Sequence, residues 1–142
     1  MYKTILLAVD LGHDESWAKA LPTAVEYAQK FGSALHLVTV VPDFGMSIVG
    51  SFFPEDFEEK AIKEAGEKLQ AFADAHVPNA IESHCHVAHG KSYDEILGAA
   101  QKLSADLIVM GSHQPGAETY LLGSTAAHVT RFARCSVLVV RG

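Results

Sequence analysis

The stretch VMGSHQPGAETYLLGSTAAHV, residues 109–129, holds residue types suited to gripping an anion without a cationic side chain. An apolar run stops at Gly111. A loop follows whose one charge is Glu118, and then Gly123, Ser124 and Thr125 open an amphipathic segment. If that segment is a helix, its first N–H groups lack intrahelical partners and its dipole makes that end positive. A phosphate is the natural guest there, and the hydroxyls of Ser124 and Thr125 can each add a hydrogen bond. The same three residues also suit a plain helix cap with no ligand. Three strand ends should meet at the same place. Asp10 closes the first apolar run and can accept hydrogen bonds from a ribose hydroxyl or an adenine amino group. Val40 offers an apolar wall and a backbone edge. Gly111, having no Cβ, lets a ligand approach the main chain.

Other reactive side chains form weaker patterns. His84 and His86 share one face of a strand, with His89 close by, and two imidazoles at i, i+2 can share a metal ion. No third carboxylate or cysteine ligand is expected with them on that face, so they read as solvent-facing edge histidines and no metal site is expected. His113 lies inside the loop, but no nucleophile, base and orienting group come together around it. Cys85 alternates with the histidines and should face the core. Cys85 and Cys135 stand outside any C-x-x-C pair and read as reduced thiols of a cytosolic protein.

The elements that must position these groups follow from hydrophobic periodicity. Four nearly continuous apolar runs, residues 4–9, 35–41, 106–111 and 136–140, suit strands covered on both faces, as in a parallel sheet flanked by helices. Residues 81–87 instead alternate, as expected of a half-exposed edge strand. Between the strands lie helical stripes: Trp17, Leu21, Ala24, Ala28 and Phe31; then Phe57, Ala61, Ala65, Leu69 and Phe72; then Tyr93, Ile96, Leu97, Ala100 and Leu103. Asp14 should cap the first helix and Gly32 should stop it. This alternation predicts one doubly wound α/β domain over residues 1–142, with ligands beyond the carboxyl ends of the strands. The connection 42–56 is long and carries Phe44, Phe52 and Phe53, which suits a flap, a lid or a partner-binding patch.

Bulk properties narrow the class. The chain has 142 residues, 49% of them hydrophobic and 20% charged, with net charge −6. An acidic balance disfavours whole-surface attraction to nucleic acid. The opening MYKTILLAVD is too short an apolar run for a signal peptide or a membrane span and reads as the first strand. No membrane partner and no nucleic acid are expected.

Taken in order, ILLAVD, LVTVV, DLIVMGSH and LLGSTAAHV…CSVLVVR resemble the universal stress protein family, and SHQP…TYLLGS and CSVLVVR resemble its short F/G-type members. The resemblance implies a five-stranded parallel sheet ordered 3-2-1-4-5 and ATP binding through G-x2-G-x9-G-[ST]. Carried over by position, it places the base near Ala8, Val9, Asp10 and Val40. It places ribose and phosphates on Met110, Gly111, Ser112, His113, Gly123, Ser124 and Thr125. The sequence departs from the motif at two points. Gln114 replaces the second glycine, with eight residues rather than nine before Gly123, and Ala8 replaces a common proline. A side chain at 114 disfavours positive φ, so the loop takes another path and Gln114 can meet phosphate through its amide.

The implied ligand is ATP, ADP or AMP, with or without Mg²⁺. No G-x4-GK[ST] is present, and nothing resembles an arginine finger or a two-carboxylate Mg²⁺ clamp. The site should therefore hold a nucleotide with little or no hydrolysis, in a cytosolic stress-response regulator rather than an enzyme. In the order 3-2-1-4-5 the strand 136–140 lies at the sheet edge. Pairing with its copy across a two-fold axis would cover it, and the resemblance implies that homodimer. Two other readings stay open: a nucleotide-independent interaction module using residues 42–56, and an enzyme acting on an adenylated or phosphorylated small molecule.

Overall fold

The computed structural model describes residues 1–42, 57–112 and 122–142. Five strands alternate with four helices: β1 Thr4–Ala8, α1 Ala20–Phe31, β2 Ala34–Val41, α2 Phe57–His76, β3 Ser83–His89, α3 Ser92–Leu103, β4 Leu107–Gly111, α4 Ser124–Phe132 and β5 Ser136–Val140. The strands form one parallel sheet in the order β3-β2-β1-β4-β5. β1 and β4 pair as Leu6 with Ile108, so the order reverses beside β1, and a crevice opens there at the carboxyl ends.

The apolar runs work because alternate residues serve opposite layers. Ile5, Leu7, Leu35, Leu37, Leu107 and Val109 pack under α1 and α2 with Ala24, Ala28, Leu69 and Ala73. Leu6, Val38, Ile108 and Met110 pack under α3 and α4 with Ile96, Ala100, Ala126 and Val129. Leu6, Leu7, Leu35, Leu37 and Ile108 are wholly buried, and each such side chain contributes about 1.5–3 kcal/mol of transfer free energy. Gly32 ends α1 in the left-handed conformation, φ 64°, as its type predicts.

Two expectations are corrected. Asp14 does not cap α1. It begins a separate 3-10 turn, Asp14–Ser16, while α1 starts at Ala20 behind Lys19, which makes no side-chain cap bond. The cause lies at the end of β1: the Asp10 N–H donates to Ser16 Oγ at 3.0 Å, and that hydroxyl donates back to the Asp10 carbonyl at 3.1 Å. The chain folds over the strand ends before it can start the helix. Trp17 therefore lies outside α1 and packs edge-on against Phe72, centroids 4.8 Å apart. The edge strand starts later than expected, at Ser83 rather than Ile81, because residues 78–81 turn through an Ile81 N–H to Pro78 carbonyl bond. Its alternation survives: Cys85 packs toward the α2 layer, while His86 pairs with Val38 in the facing register.

Candidate functional site

At the strand-order reversal lies a cavity of about 380 Å³. Ala8, Val9 and Asp10 enter it from the end of β1, Val38 and Val40 from β2, Met110 and Gly111 from β4, and Gly123, Thr125 and Ala126 from the start of α4. Of the residues expected from sequence, it thus gathers Ala8, Val9, Asp10, Val40, Met110, Gly111, Gly123 and Thr125. Ser124 lines an adjoining cavity of about 480 Å³ with Lys91, Ser92 and Tyr93. Ser112 does not line either: it is buried, its N–H donates to the Val140 carbonyl at 3.0 Å, and its carbonyl accepts the Gly123 N–H at 2.9 Å. Ser112 thereby ties the end of β4 to both β5 and the start of α4. His113, Gln114 and nearly all of the Phe-rich 42–56 segment lie outside the described residues.

The start of α4 has the electrostatics of an anion site. Gly123 occupies the cap position in an extended conformation, φ −62° and ψ 156°, with no side-chain cap bond. Ala127 N–H donates to the Gly123 carbonyl at 2.9 Å, which leaves the Thr125 and Ala126 amides ahead of it without intrahelical carbonyls. No acidic residue lies in the first turn, whereas α3 already carries Asp94 and Glu95 in its own. Among the described residues, the first turn of α4 thus offers no carboxylate to the positive end of its dipole.

Across the cavity stands a polar pair. Asp10 Oδ1 accepts the Gly12 N–H at 3.1 Å, and Asp10 Oδ2 lies 3.0 Å from His13 Nδ1. Both side chains are about half exposed, so the carboxylate retains lone pairs for a ligand. Sequence reasoning missed His13 because Asp14 suggested that a helix had already begun there. It missed Val38 as well, although Val38 shares a strand face with Val40 and the period of two could have found it. Ser16 and Ser92 also line the cavity and left no signal in the sequence, while Ile96, which lines it too, was legible only as part of an apolar helical stripe.

Gly111 has a tighter reason than ligand approach. A Cβ there would stand 2.7 Å from the Ser16 carbonyl oxygen and 3.3 Å from that of Glu15. The missing side chain admits the main chain of the 3-10 turn, and that turn brings His13 and Ser16 to the cavity. No three metal-ligating side chains surround a point where an ion could sit among the described residues, and none of the described helices is long and apolar enough to cross a membrane. Burial raises the pKa of the Cys85 thiol, assisted by the charge of Asp74, and burial raises that of Cys135 too, so neither is an activated nucleophile.

Comparison with known proteins gives the same architecture a family. The model of the universal stress protein family matches residues 1–141. Universal stress protein G of Escherichia coli is 38% identical over 143 aligned positions, covering 99% of this chain and all of that one. The structure of the universal stress protein UspA from Lactobacillus plantarum superposes with a TM-score of 0.71 at 26% identity, over 99% of this chain and 98% of that one. A universal stress protein crystallised in complex with cAMP superposes at 0.62 and 25% identity, over 99% and 97%. In length, strand order and sequence, the chain belongs to the universal stress protein family.

Proposed function

We propose that the protein binds an adenine nucleotide in the 380 Å³ cavity and acts as a stress-response regulator. The observation that carries the reading is the meeting of an acid-free, side-chain-uncapped helix start with the carboxyl ends of β1, β2 and β4. The apolar wall of Ala8, Val38 and Val40 suits a base, and the half-exposed Asp10 suits its ribose or amino group. The first turn of α4 suits phosphate. The similar protein crystallised with cAMP supports the same ligand class. ATP, ADP and AMP all meet these requirements, and Mg²⁺ would travel on the phosphates rather than on protein carboxylates. Among the described residues no lysine or arginine lines this cavity, which favours holding a nucleotide over transferring its phosphoryl group. The output is then a nucleotide-dependent change of shape or partner in the cytoplasm. β5 supplies a sheet edge for a two-fold homodimer.

Calorimetry and thermal unfolding with ATP and AMP test the reading. Ligand at a hundredfold excess over Kd should stabilise the fold by about 2.7 kcal/mol. Gly123→Val should abolish the effect by filling the approach to α4, and Asp10→Ala should abolish it from the other side. Absence of any shift at millimolar nucleotide would refute the proposal. Sedimentation showing only monomer at high concentration would refute the dimer separately.

A further inference from the structure

Further back along β2 and β3, behind the cavity wall at Val38, three imidazoles form a stack that does not line the cavity. His36 of β2 pairs with His84 of β3 in register, and Val38 pairs with His86, so all three histidines rise from one sheet face across two neighbouring strands. His36 lies between the other two. Its ring is 4.8 Å from that of His84 at 21° and 5.0 Å from that of His86 at 20°. His36 Nδ1 and His86 Nε2 are 2.8 Å apart, so one ring donates a hydrogen bond and the other accepts it. His84 Nε2 lies 2.9 Å from Glu82 Oε2, an exposed contact, so a carboxylate does stand beside these histidines. Nearly parallel rings do not aim their nitrogens at one centre, so the chemistry of this array is proton exchange rather than metal binding.

We propose that the His84–His36–His86 stack is an acid-sensitive latch: near neutral pH it holds the edge strand β3 to β2, and proton uptake by the stack releases β3. The hydrogen bond between His36 and His86 needs one bare ring nitrogen. One proton shared there is tolerable, but a second sets two N–H groups against each other at 2.8 Å. The His84 ring stacks on His36, so positive charge there opposes a proton on the His36 ring. Burial, then the charges of His86 and His84, hold His36 below its ordinary pKa, with Glu82 opposing weakly; burial and then His84 do the same to His86. The unfolded or opened strand therefore binds more protons than the folded one once pH falls below about 6.5, and stability is lost in that direction.

Other titratable groups do not offset this. α3 packs on the same layer and carries Tyr93, Asp94, Glu95 and Lys102, none of which acts on His36 or His86. β1 presents Leu6 opposite His36. His89 alternates to the other face, where it lies 3.4 Å from Glu58 of α2.

The two edges of the sheet provide the test, since β5 contains no histidine. Hydrogen exchange followed by mass spectrometry at pH 7.5, 6.5 and 5.5, corrected for intrinsic rates, reads the opening of each edge. The opening constant of β3 should rise by up to about tenfold per pH unit for each proton taken up, while that of β5 stays level. His36→Gln with His86→Gln should flatten the β3 response, and His86→Gln alone should roughly halve its slope if the double variant folds poorly. An equal response of β3 and β5, or an unchanged β3 response in the variants, would overturn the proposal. Nucleotide is absent from this experiment, so its outcome is independent of whether the cavity binds one.

Discussion

The two ends of the parallel sheet are closed by different means. At the carboxyl end the closure is largely main chain: the Ser112 carbonyl takes the Gly123 N–H, the Val140 carbonyl takes the Ser112 N–H, and Gly111 gives up its side chain to the Ser16 carbonyl. At the amino end side chains add to main-chain bonds such as Ala34 N–H to the Lys3 carbonyl and Asp106 N–H to the Thr4 carbonyl. Asp106 accepts the N–H groups of Lys3 and Thr4 at 2.9 and 3.0 Å, the Ser33 hydroxyl donates to the Tyr2 carbonyl, and the histidine stack lies across β2 and β3. A main-chain closure leaves a concave surface of amides open to an anion and changes little with pH. A side-chain closure fills its own space and carries groups that titrate. The same strand, β2, serves both ends, with Val40 at one and His36 at the other.

The sharpest way to break the contrast is to add a side chain at the carboxyl end. Gly111→Ala would press its Cβ on the Ser16 carbonyl at 2.7 Å, a backbone neighbour that cannot swing aside. Overpacking of this kind costs about 1–3 kcal/mol, which urea denaturation at pH 7.5 would report. The cost should be the same at pH 5.5. The variant should also lose any nucleotide-induced stabilisation, because the displaced turn carries His13 and Ser16. Wild-type stability would show that the turn is not held by this contact.

How far the sequence disclosed these two ends follows from the same contrast. Closure by glycine leaves a mark, since a glycine that ends an apolar run forgoes packing and signals that something must come close to its backbone. Gly111 and Gly123 could be singled out on that ground without coordinates. Gly32 was legible through its own conformational freedom, as a left-handed stop to α1. Closure by side chains depends on which residues face each other across strands. His84 and His86 were visible as a pair, but His36 lies some fifty residues earlier and joins them only through the β2–β3 register. Asp14 misled because an acidic residue before an apolar stripe signals a cap, and only the tertiary pull of Asp10 and Ser16 reassigns it to a turn.

A smaller effect sharpens the amino end. Asp106→Asn keeps one acceptor oxygen but removes the charge that both strand-start amides share. Burial works to raise the pKa of this carboxyl, yet the N–H bonds from Lys3, Thr4 and its own amide, with the N-terminal charge, together outweigh it and hold it below the ordinary value. Its folded pKa is depressed, so its stabilisation is present above about pH 4 and lost as pH falls through the folded value. At pH 7 the substitution should cost about 1 kcal/mol, discounted from a buried charged bond because the residue is only half-buried. Urea midpoints taken down to pH 3 should then show two acid limbs in the wild type, one from the histidines below 6.5 and one from Asp106 below 4. Asp106→Asn should remove only the lower one. Loss of both together would mean that the amino end behaves as one unit rather than as separate side-chain ties.

The smallest effect on stability is expected where the two designs meet, at Asp10 and His13. Their contact is a side-chain pair placed at the main-chain end, with both groups about half exposed. Exposed ion pairs contribute about 0–1 kcal/mol, so His13→Ala should shift the urea midpoint by little, in contrast to Gly111→Ala beside it. Its effect on nucleotide affinity should be larger than its effect on the fold, because Asp10 Oδ2 loses its partner and the carboxylate can turn within the cavity. Calorimetry on this variant thus separates the two roles of the turn. A large loss of stability with intact nucleotide affinity would make the Asp10–His13 pair a structural tie like Asp106, and the carboxyl end would no longer be a main-chain closure. Intact stability with weakened affinity would leave the turn, seated on Gly111, as the scaffold and His13 as the group that fixes Asp10 toward its ligand.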